Sequence, residues 1–177
     1  MSKVLVCFFS TGGEDVASGE NNELGNTAVM AQLITDKLKE DSHEVTSFRI
    51  EPSTPYPDGY DQKLARAMEE RSMQERPEFV GEISDFDDYD TVFIGYPIWC
   101  SDLPMIMYTF LEKHVFTGKI VIPFCTHGGS GESGTFQTVQ EKAVGSAPGE
   151  GLAMLGDLTR KPGGKLQVDH WVEQLAV

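Results

Sequence analysis

The sequence predicts an α/β fold of three layers, in which a doubly wound, five-stranded parallel sheet lies between two layers of helices. Short, continuous apolar runs recur along the 177-residue chain, and such runs are typical of strands covered on both faces. Segments with helical periodicity separate the runs, and right-handed crossovers between parallel strands place these helices on both faces of the sheet. The length is that of one ordinary domain, and we expect residues 1–177 to form a single domain.

The first two predicted strands are each followed by a predicted helix. Residues 3–9 (KVLVCFF) are apolar throughout and predict the first strand. After a stretch rich in glycine, serine and acidic residues, a helix begins at about Asn26, because apolar residues then recur on one helical face. Residues 43–50 predict the second strand, and a charged helix is expected from about Asp61 to Glu75.

The same alternation continues to the end of the chain. The apolar run at 91–97 predicts the third strand, and the next helix is expected to have Ser101 or Asp102 as its N-cap and Pro104 in its first turn. The remaining predicted elements are a strand at 119–125, a helix at 135–144, a strand at 151–156 and a helix that carries Val168, Trp171, Val172 and Leu175 on one face.

Composition and charge exclude several classes of partner. The chain has 14 Lys+Arg against 28 Asp+Glu, and its net charge of −14 repels nucleic acids and anionic lipids. No apolar run approaches membrane-spanning length, and the N-terminal run is too short for a signal peptide. Cys7, Cys100 and Cys125 form no C-x-x-C pair, which predicts neither a disulfide framework nor a zinc site and indicates the reducing cytoplasm. A basic protein or a small ligand remains as a partner.

Candidate binding residues follow the first predicted strand. In an open parallel sheet, ligands bind beyond the carboxyl ends of the strands. Ser10 and Thr11 offer hydroxyls there, and Asn26 and Thr27 open the following helix, whose first backbone N–H groups have no partner within the helix. This combination is typical of a phosphate site without a basic residue. The alternative is that Asn26 and Thr27 only cap the helix.

Aromatic rings and glycines follow the third and fourth predicted strands. Tyr96 and Trp99 offer ring faces on which a planar ligand can stack, and the alternative is that one or both rings belong to the core. The glycines of 126–131 (THGGSG) allow the backbone to approach a ligand closely. His127 either hydrogen-bonds that ligand or only caps the loop.

Several other reaction classes lack their motifs. The chain contains no G-x-x-x-x-G-K-[ST] and no G-x-S-x-G. A cysteine phosphatase needs an arginine six positions after its cysteine, and Gly13 occupies that position after Cys7, so we interpret Cys7 as a buried strand residue. Residues 129–134 spell G-x-G-x-x-G, but they follow the fourth strand, whereas a dinucleotide fold normally opens with this motif.

Longer segments resemble the flavodoxin-like family, specifically its small FMN-binding oxidoreductases. The matching segments are FFS at 8–10, GNT at 25–27, EPSTPYP at 51–57, YDTVFIGYPIW at 89–99 and IPFCTHGGSG at 122–131. The resemblance implies the strand order 2-1-3-4-5 and one non-covalent FMN between the first and third strands. By position, it implies that the phosphate is held by Ser10, Thr11, Asn26, Thr27 and Ala28. The isoalloxazine would be flanked by Pro97, Ile98 and Trp99 on one side and by Thr126, His127, Gly128, Gly129 and Ser130 on the other.

One segment departs from the compact loop of the family. Residues 12–24 intervene between Ser10 and the GNT motif, and they carry Glu14, Asp15, Glu20 and Glu23. These carboxylates are expected either to weaken phosphate binding by repulsion or to fold over the flavin as a lid.

The resemblance implies an FMN-dependent oxidoreductase that passes electrons from NAD(P)H or a redox partner to a small acceptor such as a quinone or a flavin. A flavodoxin-type electron carrier, whose acidic surface docks on basic redox proteins, is the main alternative. A ligand-binding module without redox function is the third. The chemistry belongs to the flavin, and no acid or base residue is predicted.

Overall fold

The five predicted strands form one parallel sheet in the computed structural model, which describes residues 2–14, 21–22 and 24–177. The strands are β1 (Lys3–Phe8), β2 (Glu44–Arg49), β3 (Thr91–Pro97), β4 (Ile120–His127) and β5 (Leu152–Leu155). Their order is β2-β1-β3-β4-β5, which confirms the prediction. A sixth, two-residue strand, Ala147–Pro148, pairs with the start of β4 and extends the edge that β5 occupies.

In the described part of the chain, four α-helices connect consecutive strands and a fifth follows β5: α1 (Asn26–Glu40), α2 (Tyr60–Ser72), α3 (Met105–Lys113), α4 (Thr135–Lys142) and α5 (Pro162–Gln174). The prediction placed the C-terminal end of α2 three residues too late and that of α4 two residues too late. Short 3-10 helices occupy Phe86–Asp88 and Gly156–Arg160, and two-residue strands pair Glu51–Pro52 with Phe79–Val80.

Helices cover both faces of the sheet, as predicted. Side chains alternate along β1, so Val4 and Val6 face one layer while Leu5 and Cys7 face the other. The first layer is built from α1 and α5 and contributes Met30, Ile34, Val168 and Trp171. The second contains α3 and α4 and contributes Ile106, Met107, Phe110 and Val139.

The prediction for the start of α3 was wrong. Neither Ser101 nor Asp102 is the N-cap; Pro104 holds that position and the helix begins at Met105. The reason is a tight turn: the backbone N–H and C=O groups of Trp99 and Asp102 bond each other at 3.0 Å. The two residues between them, Cys100 and Ser101, have φ of 52° and 58°, a left-handed conformation that non-glycine residues adopt uncommonly.

Cys7 is a buried strand residue, as predicted. All three cysteines are free thiols. Cys7 is fully buried in β1, and this burial raises the pKa of its thiol well above the ordinary value. Among the described residues, no helix is long and apolar enough to span a bilayer.

Candidate functional site

Three loops meet where β1, β3 and β4 end. The parallel register pairs Phe8 with Gly95, and Pro97 with Thr126, so the carboxyl ends of the three strands lie side by side. The Thr27 and Thr126 hydroxyls bond each other at 2.8 Å, and the Ile98 N–H donates to the Thr126 carbonyl at 2.9 Å. Thr126 therefore joins the start of α1 to the loop after β3.

The loop after β1 packs closely against the start of α1. Gly25 is the N-cap with a φ of 75°, and a Cβ there would lie 2.4 Å from both the Ser10 hydroxyl and the Thr11 carbonyl oxygen. Only glycine permits this approach. The Ser10 hydroxyl accepts from the Ala28 N–H at 3.1 Å and donates to the Leu24 carbonyl at 3.3 Å.

This geometry corrects the alternative interpretation of the GNT motif. Asn26 and Thr27 are the first two helical residues, and no side-chain hydrogen bond caps α1 from its N-cap position. Ser10, from the preceding strand's loop, satisfies the Ala28 N–H instead. Thr27 is buried with 1% exposure, so its hydroxyl contributes to the packing between α1 and β4 as well as to the polar character of the site.

Two basic side chains donate hydrogen bonds to the backbone of the loop after β1. The Arg49 guanidinium donates to the Ser10 carbonyl at 3.0 Å, and the buried Lys63 ammonium donates to the Gly12 carbonyl at 2.9 Å. Both residues are distant in sequence from the loop, and sequence reasoning missed them because no local motif marks such a contact.

A third cation contacts the start of α1. Arg160, at the end of the 3-10 helix after β5, donates from Nη1 to the Asn26 side-chain carbonyl oxygen. Sequence reasoning also missed this residue. Its position after the fifth strand was the one available signal, because that strand ends at the same edge of the sheet.

The two candidate aromatic residues have different roles. Tyr96 is fully buried and its hydroxyl donates to the Thr135 hydroxyl at 2.9 Å, so the core alternative holds for this ring. Burial also raises the pKa of the Tyr96 phenol. Trp99 is half-buried and lies edge-on to Phe9 and Tyr56, with ring centroids 5.2 and 5.0 Å apart.

A small cavity of about 60 Å³ lies beside Trp99. Ile98, Trp99 and Cys100 line one wall, and residues of α2 line the other. Lys63 is the charged residue of this lining. The cavity is thus mostly apolar, with one cation at its boundary.

The loop after β4 is organised by His127. Its Nδ1 accepts from the Gly129 and Gly131 N–H groups at 3.0 and 3.2 Å, which assigns the proton of the neutral ring to Nε2. Partial burial lowers the pKa of His127, which favours the neutral ring at physiological pH. Gly128, Gly129 and Ser130 are exposed, so the surface of this loop is formed largely by backbone.

The acidic insertion is described only in part. Gly13–Glu14 pairs antiparallel with Asn21–Asn22. Residues 15–20 and 23 lie outside the described residues. The expectation that the acidic side chains of this insertion repel the phosphate or form a lid concerns these residues and stays a prediction. Across the described ranges, no group of three His, Cys, Asp or Glu residues could hold a metal ion.

The fold is that of the flavodoxins. The family described as flavodoxin matches residues 3–175, and the chain belongs to this family. None of the curated proteins matches the chain.

Solved structures agree with this assignment. A protein of Bacteroides eggerthii, provisionally assigned as a flavoprotein, is 28% identical with a TM-score of 0.77, covering 100% of this chain and 99% of that one. A provisionally assigned flavoprotein of Bacteroides uniformis is 29% identical with a TM-score of 0.75, covering 98% and 99%. A flavoprotein of Lactobacillus acidophilus, solved in complex with FMN, is 20% identical with a TM-score of 0.66, covering 97% and 99%.

Proposed function

We propose that the protein is an FMN-dependent oxidoreductase that takes electrons from NAD(P)H or a redox partner and passes them to a small acceptor such as a quinone or a flavin. FMN is the cofactor that membership of the flavodoxin family implies. When bound, it supplies hydride and electron transfer, and the protein supplies binding and orientation. The observation that carries the proposal is the convergence of three loops through Thr126 at the carboxyl edge of the sheet.

The donor groups at the start of α1 suit a phosphate. They are hydroxyls, a side-chain amide and the first N–H groups of a helix, brought together because Gly25 leaves room for the loop after β1. The residues proposed to hold the phosphate are Ser10, Thr11, Asn26, Thr27 and Ala28. The Ala28 N–H is already satisfied by Ser10, so its proposed role is to hold that hydroxyl in position.

The other two loops suit a flat ring system. Pro97, Ile98 and Trp99 are proposed to flank one side of the isoalloxazine, and Thr126, His127, Gly128, Gly129 and Ser130 the other. The half-buried Trp99 is held by two neighbouring aromatic rings, so it offers a rigid apolar surface. His127 is held by two backbone N–H groups and keeps its Nε2–H for a ligand atom.

Absorbance spectroscopy tests the proposal. The purified chain is mixed with FMN, desalted and then treated with NADPH or NADH without oxygen. Retained flavin bands that bleach after the addition are expected for the oxidoreductase. Complete loss of the flavin on desalting would count against FMN binding and would favour a ligand-binding module without redox function.

An electron carrier is the second candidate, and the net charge of −14 favours it. An acidic surface accelerates docking on basic redox proteins, and the acceleration falls with ionic strength. For a carrier, the bound flavin stays unbleached with NAD(P)H alone and bleaches when a reductase is added. Rapid oxidation of NAD(P)H by the purified chain alone would exclude this alternative.

A further inference from the structure

Arg160 differs from the other arginines in its pairing. The chain contains five arginines, and four of them form an ion pair with a carboxylate: Arg49, Arg66, Arg71 and Arg76. Arg160 forms none with any carboxylate that the structure describes. Among the five arginines, it is therefore the one for which the structure describes no carboxylate partner.

The guanidinium is also held where a cation is unfavourable. Its Nη1 donates to the Asn26 side-chain oxygen and, at 3.3 Å, to the Thr159 hydroxyl. Asn26 is the first residue of α1, and the N-terminus of a helix carries a partial positive charge. Arg160 is exposed, and a positive side chain beside a helix N-terminus is stabilised when an anion binds there.

The structure describes no partner for the remaining N–H donors of Arg160. An arginine carries five N–H donors in a planar fork that matches the oxygens of a phosphate. Within the described residues, both contacts of Arg160 use Nη1 and none uses Nη2 or Nε. Asn26 therefore orients the guanidinium beside the helix start without occupying its other donors.

We infer that Arg160 binds the phosphate of FMN and sets the preference of this protein for FMN over riboflavin, which has the same ring system and no phosphate. The inference rests on the proposed function, because it uses the same phosphate site at the start of α1. The inference adds one charged side chain, Arg160, to a phosphate site that the sequence alone predicts to consist of neutral groups. A charge-assisted contact of this kind also offsets the repulsion between a phosphate dianion and a chain of net charge −14.

Arg160→Gln tests the inference against Lys161→Gln. The control removes one positive charge from the next residue, which is also exposed. Dissociation constants of FMN and riboflavin are measured by flavin-fluorescence titration of the full-length chain after removal of flavin. We expect Arg160→Gln to weaken FMN binding roughly 10- to 100-fold, the range of a lost hydrogen bond to a charged group. Riboflavin binding by this variant, and FMN binding by Lys161→Gln, should change less than about threefold.

The outcomes separate this inference from the proposed function. FMN binding by Arg160→Gln that equals binding by the control would overturn the role of Arg160 and leave the FMN site intact. An equal loss for FMN and riboflavin would also overturn it, because the arginine would then act through the ring or the fold. A wild-type chain that binds neither flavin would overturn the proposed function itself. Thermal unfolding of each variant without flavin checks that the fold is unchanged.

Discussion

The hydrogen bond between Thr27 and Thr126 allows a quantitative test of how the site is held together. The two hydroxyls are 2.8 Å apart and their residues are 1% and 4% exposed. Thr27→Val and Thr126→Val each replace a hydroxyl by a methyl group of similar size. Either substitution leaves the opposite hydroxyl buried without this partner, which costs about 1–3 kcal/mol of unfolding free energy. The double variant removes both polar groups and should cost less than the sum of the two single variants.

A double-mutant cycle isolates the interaction. Urea denaturation of the wild type, both single variants and the double variant, without flavin, gives four unfolding free energies. We expect a coupling energy of about 1–2 kcal/mol, since the two side chains are in direct contact. In thermal unfolding, each single variant should lower Tm by roughly 2–4 °C per kcal/mol for a domain of this length. Thr46→Val is the matched control, because Thr46 is exposed on β2, and it should change stability by less than about 0.5 kcal/mol.

The same variants also report on flavin binding. Thr27→Val should weaken FMN binding while the chain stays folded, because the hydroxyl lies at the proposed phosphate site. Fluorescence titration measures this affinity, and an unchanged value would remove Thr27 from the site. Strictly additive free energies in the cycle would refute the reasoning about stability, since they would mean that the two hydroxyls do not interact.

Three further predictions concern packing, pH and thiol chemistry. Gly95→Ala should lower the free energy of unfolding, measured by urea denaturation, by roughly 1–3 kcal/mol or more. The reason is that a Cβ at this position would lie 2.1 Å from the Phe124 ring. An unchanged free energy of unfolding would contradict this packing. Burial lowers the pKa of His114 below its ordinary value of 6.5, so the unfolded chain binds more protons and stability is lost as pH falls from about 6.5 through the lowered pKa. His114→Phe should reduce that loss in denaturation midpoints measured from pH 7 to pH 5, and an unchanged pH profile would argue against it. Cys7 and Cys125 are buried, and burial raises the pKa of both thiols, that of Cys125 to about 12. Cys100 is half-buried, so titration of the native protein with a thiol reagent at pH 8 should detect one thiol. Three equally reactive thiols would contradict this prediction.

The strands were predictable because their signals are local, and the resemblance to the flavodoxin-like family implied their order. A run such as KVLVCFF is apolar throughout, and only a strand covered on both faces buries such a run. The alternation of strands with helices then leaves few topologies. The loops after β1, β3 and β4 followed directly, because parallel strands end at one edge of the sheet.

The start of α3 shows where local signals failed. Ser101 and Asp102 have the chemistry of N-cap residues, and Pro104 suits a first helical turn. The backbone of Asp102 is instead bonded to Trp99, across a turn whose two central residues have positive φ. Non-glycine residues seldom adopt that conformation, so the turn had no signature in the sequence.

The sequence by itself determined the fold class and the three loops of the candidate site, because periodicity and turn chemistry depend on neighbouring residues, and its resemblance to the flavodoxin-like family implied the strand order. Only the tertiary structure decided which side chains meet there. Thr27 contacts a residue 99 positions away and Asn26 one 134 positions away. Such partners depend on how layers pack across the sheet, and local patterns carry no information about a pairing made at that distance. The same reason explains why Tyr96 became a core residue and why Arg160 became a candidate ligand for phosphate.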